Sequence, residues 1–542
     1  MQANGTGHTS RTCTPGLPVK SRLLRLTVHL DAARLSPRPW LTALWWRVLG
    51  KRVRSRAQFG PLLGASSRAY RLWLHSEPKP AISHEHPRTQ IVAVVGKGQG
   101  RDETLRSAAA EGIPVLSLKS SAAVADQGSD ASLWLMWLES EDILAAGAGA
   151  AYRAASAATP HARVIYADDD LLDTRGRRGR PHFKPEWNRE LLRHHDYVTG
   201  AAIVRVDAAE LQAALAQGAV AGLVSKAVAD AAPHEVLRLP HVLHHRRARP
   251  VPGMPAAAAP FDGRMPKVSV IIPTRNRLDL LRTCIDGLER TAYPDMEVIV
   301  VDNGSDDPAA LHYLAQLDPA RFLVLRDDGP FNFSRLNNRA AQLAKGELLC
   351  LLNNDIEVLE PDWLKIMARQ ALRPEVGAVG ACLLYPDGRI QHAGVVLGIC
   401  GGAAHAHRLL RPETEGYFRR HALPQFVSAV TAACLVVRRE SFEAVGGLDE
   451  ENFAVAFNDV DLCMRLNQQG WQSLYEPRAT LVHHESVSRG LDRDPVGAAR
   501  LAGELAALKA RWGTGDMERE VDPFHHPQLS RYSERFAIRL DE

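Results

Sequence analysis

MEVIVVDNGSDD, residues 296–307, is an apolar, β-branched run that stops on an acidic turn containing Gly304. A short apolar run bounded by turn residues reads as a strand buried on both faces. KVSVIIPT, residues 267–274, reads the same way through Val268, Val270, Ile271 and Ile272, and LDLLRTCIDGLERT, 278–291, between them as an amphipathic helix. Working outward, FLVLRDD (322–328) is a third strand, FSRLNNRAAQLAKG (333–346) a helix stopped by Gly346, and ELLCLLNND (347–355) a fourth strand ending on a carboxylate. Strand and helix alternate, and polar residues gather at the strand C-terminal ends. This predicts an α/β, Rossmann-like, mainly parallel sheet flanked by helices, with a ligand crevice outside those ends.

Asp302 follows VIVV and Asp355 follows LLCLL, so both should project into that crevice. Carboxylates there can hydrogen-bond a base or ribose, or hold a divalent metal against phosphates; Mg²⁺ needs only one or two of them. Asp302 alone also suits a plain turn, since Asp is common in turns. The case rests on the combination.

At 542 residues, 45% apolar and 24% charged, the chain is neither disordered nor fibrous, and about 150 residues per domain suggests three or four domains. Lys plus Arg number 66 and Asp plus Glu 62, a net charge of +4 that does not suit a protein coating nucleic acid, and no nucleic-acid partner is expected. Seven Cys without a CxxC pair exclude a disulfide scaffold or zinc ribbon and suit a reducing compartment. No apolar run reaches the ~18–20 residues of a membrane span, and no signal-peptide core is evident, so a cytoplasmic location is expected.

The balance of charge hides an asymmetry. From Lys20 to Lys79 there are thirteen Lys/Arg and only two acids, Asp31 and Glu77, interleaved with Trp40, Trp45, Trp46, Tyr70 and Trp73. LTALWWRVLGKRVRSR, 41–56, reads as one short basic amphipathic helix that could rest peripherally on the inner membrane face. A loose basic leader, or a helix docked on the body, is the alternative. From Ile91 a strand–helix rhythm begins, with GKGQG (96–100) read as a simple turn because it lacks the spacing of a phosphate-binding loop. RPVPGMPAAAAPFDGRMP, 249–266, reads as a linker. The expected layout is a basic, aromatic-containing leader (1–80), an α/β module (81–250), a linker (251–265), the main domain (266–490) and a helical or extended tail (491–542).

VSVIIPTRNR, VIVVDNGSDD, FNFSRLNNRAAQLAKGELLCLLNNDIEV, AVTAACLVVRRESFEAVGGLDE, FNDVDLCMRL and LVHHESVSRG follow one another between residues 268 and 490. In this order they resemble an inverting family 2 glycosyltransferase with the GT-A fold. The resemblance is closest to bacterial O-antigen and surface-polysaccharide enzymes, including rhamnosyltransferases. It implies a nucleotide-sugar donor (dTDP-, UDP- or GDP-linked), a glycan or lipid-linked glycan acceptor, and Mn²⁺ or Mg²⁺ as cofactor. Pro273, Thr274, Asn276 and Ser305 then resemble nucleotide-contacting loop residues, and Asp302 the acid that recognises the base. Asn353 and Asp355 occupy the ends of a DxD-type motif, with Asn in place of the first Asp, so Asp355 would carry the metal. His483 or His484 resembles the late histidine of that metal site. Asp459 stands where the family has its base, and Asp461 as a second carboxylate that orients neighbouring groups. Asp459 is alternatively a helix N-cap.

His405 and His407, in GGAAHAHRLL (401–410), resemble an acceptor-side stretch and read as a polar loop. Arg489 suits a place near the diphosphate. The tail from RWGTGD (511–516) to DPFHHPQLS (522–530) is expected to pack on the main domain. Upstream, residues 164–206 and 237–247 resemble a worn, degenerate GT-A-like module without a PT-N strand or a base motif. Glu139, Glu141 and Asp142 read as a solvated acidic turn, and Asp168, Asp169 and Asp170 stay ambiguous. Two other functions compete. One is a noncatalytic nucleotide-sugar-binding scaffold. The other is a sugar-1-phosphate nucleotidyltransferase, against which IIPTRNR lacks the Gly-rich first loop.

Overall fold

The computed structural model describes residues 19–80, 89–116, 133–255, 263–484, 494–516 and 519–540. The chain forms two compact units, Met1–Pro78 with Ile538–Glu542, and Lys79–Ala537. The loop holding Arg489, and part of the 251–265 linker, lie outside the described residues.

The first unit contains the helices Val19–Leu35, Pro37–Val48, Arg52–Gly64 and Ala69–Trp73. They close on Val28, Ala32, Ala43, Phe59, Leu63 and Leu72, with Leu540 packed alongside. Asp31 is held by Ser66 Oγ at 2.8 Å and by Arg68. The single helix expected over 41–56 is two helices. The chain turns at Gly50, whose φ of +71° suits a residue without Cβ. No helix among the described residues is long and apolar enough to cross a membrane.

The second unit contains two large sheets. In the later one the strands lie in the order Phe322–Arg326, Met296–Asp302, Val268–Thr274, Leu348–Leu352, Cys434–Arg438, Val376–Leu384, Gln472–His483, Ile356–Val358. The first four are mutually parallel, and Cys434–Arg438 brings in antiparallel neighbours, so the sheet as a whole is mixed. Every residue of Val268–Thr274 is buried because both faces are covered. Val268, Val270 and Ile272 enter one core with Leu281, Ile285 and Met367. Ile271 enters the other with Leu336, Leu462 and Leu466, the alternation a strand requires. The helix Phe333–Ala341 ends well before Gly346. Gly346 instead marks a close approach: a Cβ there would lie 2.6 Å from the Ser269 backbone nitrogen.

The earlier sheet runs Val115–Leu116, Gln90–Val95, Leu133–Leu138, Ala202–Arg205, Val164–Leu172, Val236–Arg246, Ile143–Leu144. Apart from the outer Phe322–Arg326, the two sheets agree strand for strand in chain order and in parallel or antiparallel sense. In each, the long fifth strand in chain order also forms a hairpin with a short one. Hydrogen bonds join the halves: Asn188 Nδ2 donates to Phe426 O at 2.8 Å, and Tyr417 OH to Phe183 O at 2.9 Å. The tail packs here too, with Leu508 in the second core and His526 Nε2 2.8 Å from Asp168.

Asp168, Asp169 and Asp170 of the earlier module are interior, whereas Glu139 is exposed and Glu141 half-buried. Lys184 Nζ lies 2.7 Å from Asp169, which Arg249 also contacts; Arg178 and His245 hold Asp170. Burial pushes the Asp169 carboxyl up, but Lys184 and Arg249 outweigh it and hold the group far below the usual carboxylate range. Nor is Asp142 part of a solvated turn. It is buried against Arg246 at 3.5 Å, and burial pushes its carboxyl up to about 7. Removing one partner of a buried ion pair strands the other, at a typical cost of about 3–5 kcal/mol. Asp169→Leu leaves the fully buried Lys184 without its closest carboxylate, so urea unfolding should show a loss of about that size; a loss within measurement error would mean the pair adds nothing to stability.

Candidate active site

A crevice of about 510 Å³ opens at the C-terminal ends of the later sheet's strands. Of the residues expected from sequence, Pro273, Thr274, Asn353, Asp355, Asp459 and His483 line it. Strand pairing explains the convergence. Val268–Thr274 and Leu348–Leu352 are adjacent and parallel, so Thr274 and the turn at 353–355 emerge side by side. Asn354, which sequence reasoning passed over, ties them: its Nδ2 donates to Thr274 Oγ1 at 3.0 Å.

Asp355 and His483 form the polar centre. His483 Nε2 lies 3.0 Å from Asp355 Oδ1, while His483 Nδ1 meets Gln391 Oε1 at 2.7 Å. A carbonyl oxygen only accepts, so Nδ1 carries a hydrogen, and in the neutral imidazole Nε2 then turns its lone pair into the crevice. Asn353 Nδ2 stands 3.2 Å from that Nε2. Carboxylate and imidazole, two acceptors at this separation, repel unless a proton or cation joins them. The pair suits a divalent ion that completes its shell with phosphate and water oxygens. Among the described residues no group of three or more His, Cys, Asp or Glu is arranged to hold a metal, so an ion here would have Asp355 and His483 as its ligands from this set. His484 is directed elsewhere, with Nε2 2.9 Å from Glu357.

Asp459 approaches from the helix Asn458–Gln468. Its Oδ2 accepts from Ala432 N–H at 3.0 Å, and its Oδ1 from Val460 N–H at 2.8 Å. The residue flanking the helix is Phe457, so Asp459 is not the N-cap. Asp461 does not reach the crevice: it is buried and binds Arg465, Arg511 and Trp512 at 2.7, 2.8 and 3.0 Å.

The remaining predicted residues build the neighbouring loop. Asn276 Oδ1 accepts from Asp306 and Asp307 N–H, and Asn276 N–H donates to Ser305 Oγ at 2.7 Å. Asp302 is buried, accepting from Ser305 N–H at 3.0 Å and pairing with Arg326 at 2.5 Å. Arg275 and His405 also line the crevice. His405 Nδ1 lies 2.8 Å from the Nδ1 of His392, which burial, then His405 and His483, hold well below the usual histidine range. His407 is buried rather than part of an open polar loop.

The earlier sheet carries the same positions with different contents. Asp142 directly precedes Ile143–Leu144 as Asp355 precedes Ile356–Val358, and His245 pairs with Ile143 as His483 pairs with Ile356. VTGAAIV (198–204) matches VTAACLV (430–436), which puts Gly200 where Ala432 stands. A Cβ on Gly200 would meet the Arg246 guanidinium at 2.2 Å. Arg246, paired with Asp142, therefore fills the space that is open in the later sheet. The first turn of Val220–Asp230, the counterpart of the Asp459 helix, has no acid.

Residues 269–446 match the family model described as glycosyl transferase family 2. The chain carries a glycosyltransferase family 2 domain. The matched residues supply the parallel strands and much of the lining of the strand-end crevice. The chain is 38% identical over 427 residues to the uncharacterised protein y4gI of Sinorhizobium fredii, covering 70% of this chain and 46% of that one. It is 36% identical over 434 residues to the O-antigen biosynthesis protein RfbC of Myxococcus xanthus, covering 73% and 33%. It is 29% identical over 219 residues to the N-acetylglucosaminyl-diphospho-decaprenol L-rhamnosyltransferase of Mycobacterium tuberculosis, covering 37% and 70%. It thus spans less than half the length of the first two relatives.

Groups that orient a metal ligand typically matter 10- to 100-fold for metal affinity. Gln391→Leu keeps the side chain's bulk and removes the acceptor for His483 Nδ1–H. Calorimetry with Mn²⁺ and a nucleoside diphosphate should show affinity falling by about tenfold or more; unchanged affinity would mean His483 needs no such support.

Proposed function

We propose that this chain is a metal-dependent, inverting glycosyltransferase that moves a sugar from a nucleotide-sugar donor to a growing surface polysaccharide or lipid-linked glycan, on the cytoplasmic side of a membrane. One observation carries the reading: the Asp459 carboxylate, oriented by Ala432 N–H, faces the same crevice as the Asp355–His483 pair. An acceptor hydroxyl oxygen attacks the anomeric carbon from the face opposite the leaving group. The new C–O bond forms as the bond to the diphosphate breaks, the hydroxyl proton passes to Asp459, and the electron pair leaves with the diphosphate. Asp355 and His483 would hold Mn²⁺ or Mg²⁺, which when bound offsets charge on the departing diphosphate. Arg275, exposed at the crevice, adds a second positive charge.

Pro273, Thr274 and Asn353 are assigned to nucleotide contact. Asn276, Asp302 and Ser305 are assigned to holding the loop that follows Thr274. The name of the Myxococcus relative favours a surface polysaccharide as product. That of the Mycobacterium relative favours rhamnose as the sugar and a polyprenyl diphosphate glycan as acceptor. A donor screen read by nucleoside diphosphate release tests this, with dTDP-, UDP- and GDP-sugars compared. Asp355 and Asp459 together favour an enzyme over a noncatalytic scaffold. The earlier module is assigned a supporting role without transfer activity, because Arg246 fills its counterpart crevice.

Loss of a general base typically costs about 10²–10⁴-fold in rate. Asp459→Asn is expected to lower kcat by that range while donor affinity holds; substantial retained turnover would remove Asp459 from this role. Calorimetry should count one nucleoside diphosphate per chain, and none after Asp355→Ala. Binding that survives this substitution would place a second donor site in the earlier sheet.

A further inference from the structure

We infer that the helical unit docks on an anionic lipid surface through the exposed faces of Val19–Leu35 and Pro37–Val48. The inference gives a location to the membrane placement proposed above and rests on it for its purpose, but it is independent of the crevice chemistry. Between Leu23 and Val53 lie ten of the nineteen large apolar side chains that are exposed among the described residues. Scattered exposed apolar residues need no explanation, but a concentration does.

The concentration is ordered. Leu23, Leu26 and Leu30 are spaced by three and four on the first helix. Leu41, Leu44, Trp45 and Val48 repeat that spacing on the second, and the seven are 38–73% exposed. Such spacing draws one stripe along each helix. These stripes are not the inward faces, for Val28, Ala32 and Ala43 already supply the core. Each helix therefore carries a second apolar face that the unit's own packing does not use.

Charge identifies the occupant. Residues 19–56 contain ten Lys or Arg and one acid, Asp31, which is already engaged by Ser66 and Arg68. Arg22 and Arg34 are exposed beside the first stripe, and Arg47, Lys51, Arg52, Arg54 and Arg56 are exposed along and after the second. A second copy of this face would bring like charges together. A nucleic acid would meet the cations but leave the leucines wet. Anionic headgroups above acyl chains satisfy both, with Trp45 suited to the boundary between them.

The test is cosedimentation of the full chain with phosphatidylcholine vesicles, with and without about 30% phosphatidylglycerol. The chain should bind the anionic vesicles and scarcely the neutral ones. Leu26→Gln/Leu30→Gln/Trp45→Gln, and separately Arg52→Gln/Arg54→Gln/Arg56→Gln, should each weaken binding about tenfold or more, with helical circular dichroism and melting unchanged. Equal binding to both vesicle types, no binding to either, or parent-like binding by both variants would overturn the inference. So would self-association that the leucine variant abolishes, which would give the face to a second copy. Transfer to a soluble acceptor, measured in parallel, reads the glycosyltransferase proposal alone: its absence from parent and variants would overturn that reading while leaving vesicle binding intact.

Discussion

The parallel pairing of Val268–Thr274 with both Met296–Asp302 and Leu348–Leu352 is the constraint from which the rest of the site follows. Both faces of these strands are covered by helices, so nothing polar can stand along them without losing water. Polar side chains are confined to the strand ends, where Thr274, Asn353 and Asp355 emerge together. The dry interior thus gathers the crevice residues from distant parts of the sequence. Leu348–Leu352 also pairs with Cys434–Arg438, which sets the Ala432 N–H against Asp459. One sheet therefore positions both sides of the crevice.

Two sheets that share the order of seven strands in one chain show how little of the chemistry resides in the topology. In the later sheet, Asp355 faces an imidazole that offers a lone pair and an open volume. In the earlier one, Asp142 faces the permanent cation of Arg246, and Gly200 gives up its side chain to admit the guanidinium. An arginine is always charged, so it partly offsets the effect of burial on the acid without any exchangeable ion. Around it, Lys184, Arg249 and His245 pair with Asp169 and Asp170, and His526 from the tail reaches Asp168. Polar strand-end residues that remain accessible in one sheet are consumed in the other by internal bonds, which tie the modules and the tail into one unit.

The strands and their acids were legible because burial on both faces leaves a continuous apolar run, and the run's end is visible as Asp302 or Asp355. What was not legible depends on contacts between segments. Asn354 and Gln391 act through single hydrogen bonds to Thr274 and His483, and no local pattern announces them. Ala432 contributes a backbone N–H, which leaves no trace in residue type. Gly346 reads as a helix stop, yet it is required by the nearby Ser269 backbone. Asp142 looks solvated in LESEDIL because Arg246, its partner, is distant in sequence. Gly50 splits the segment 41–56 into two helices, a break concealed by the apolar and basic residues that run up to it on both sides.

The tail supplies the last structural element of the crevice. Glu504, on the helix Pro495–Trp512, accepts from Val455 N–H at 2.8 Å and Ala456 N–H at 3.2 Å. Those residues lead directly into Phe457, whose left-handed φ of +61° turns the chain into the helix bearing Asp459. Two residues beyond Asp459, Asp461 binds Arg511 and Trp512 of the same tail helix. The entry to the helix is therefore clamped from both sides by a segment more than forty residues later in sequence, with the Asp459 carboxylate between the clamps. A strained, non-glycine turn persists only where its surroundings fix it. The charged bonds from the tail are what fix it here, so the sequence between Phe457 and Asp461 specifies the position of Asp459 only together with Glu504 and Arg511.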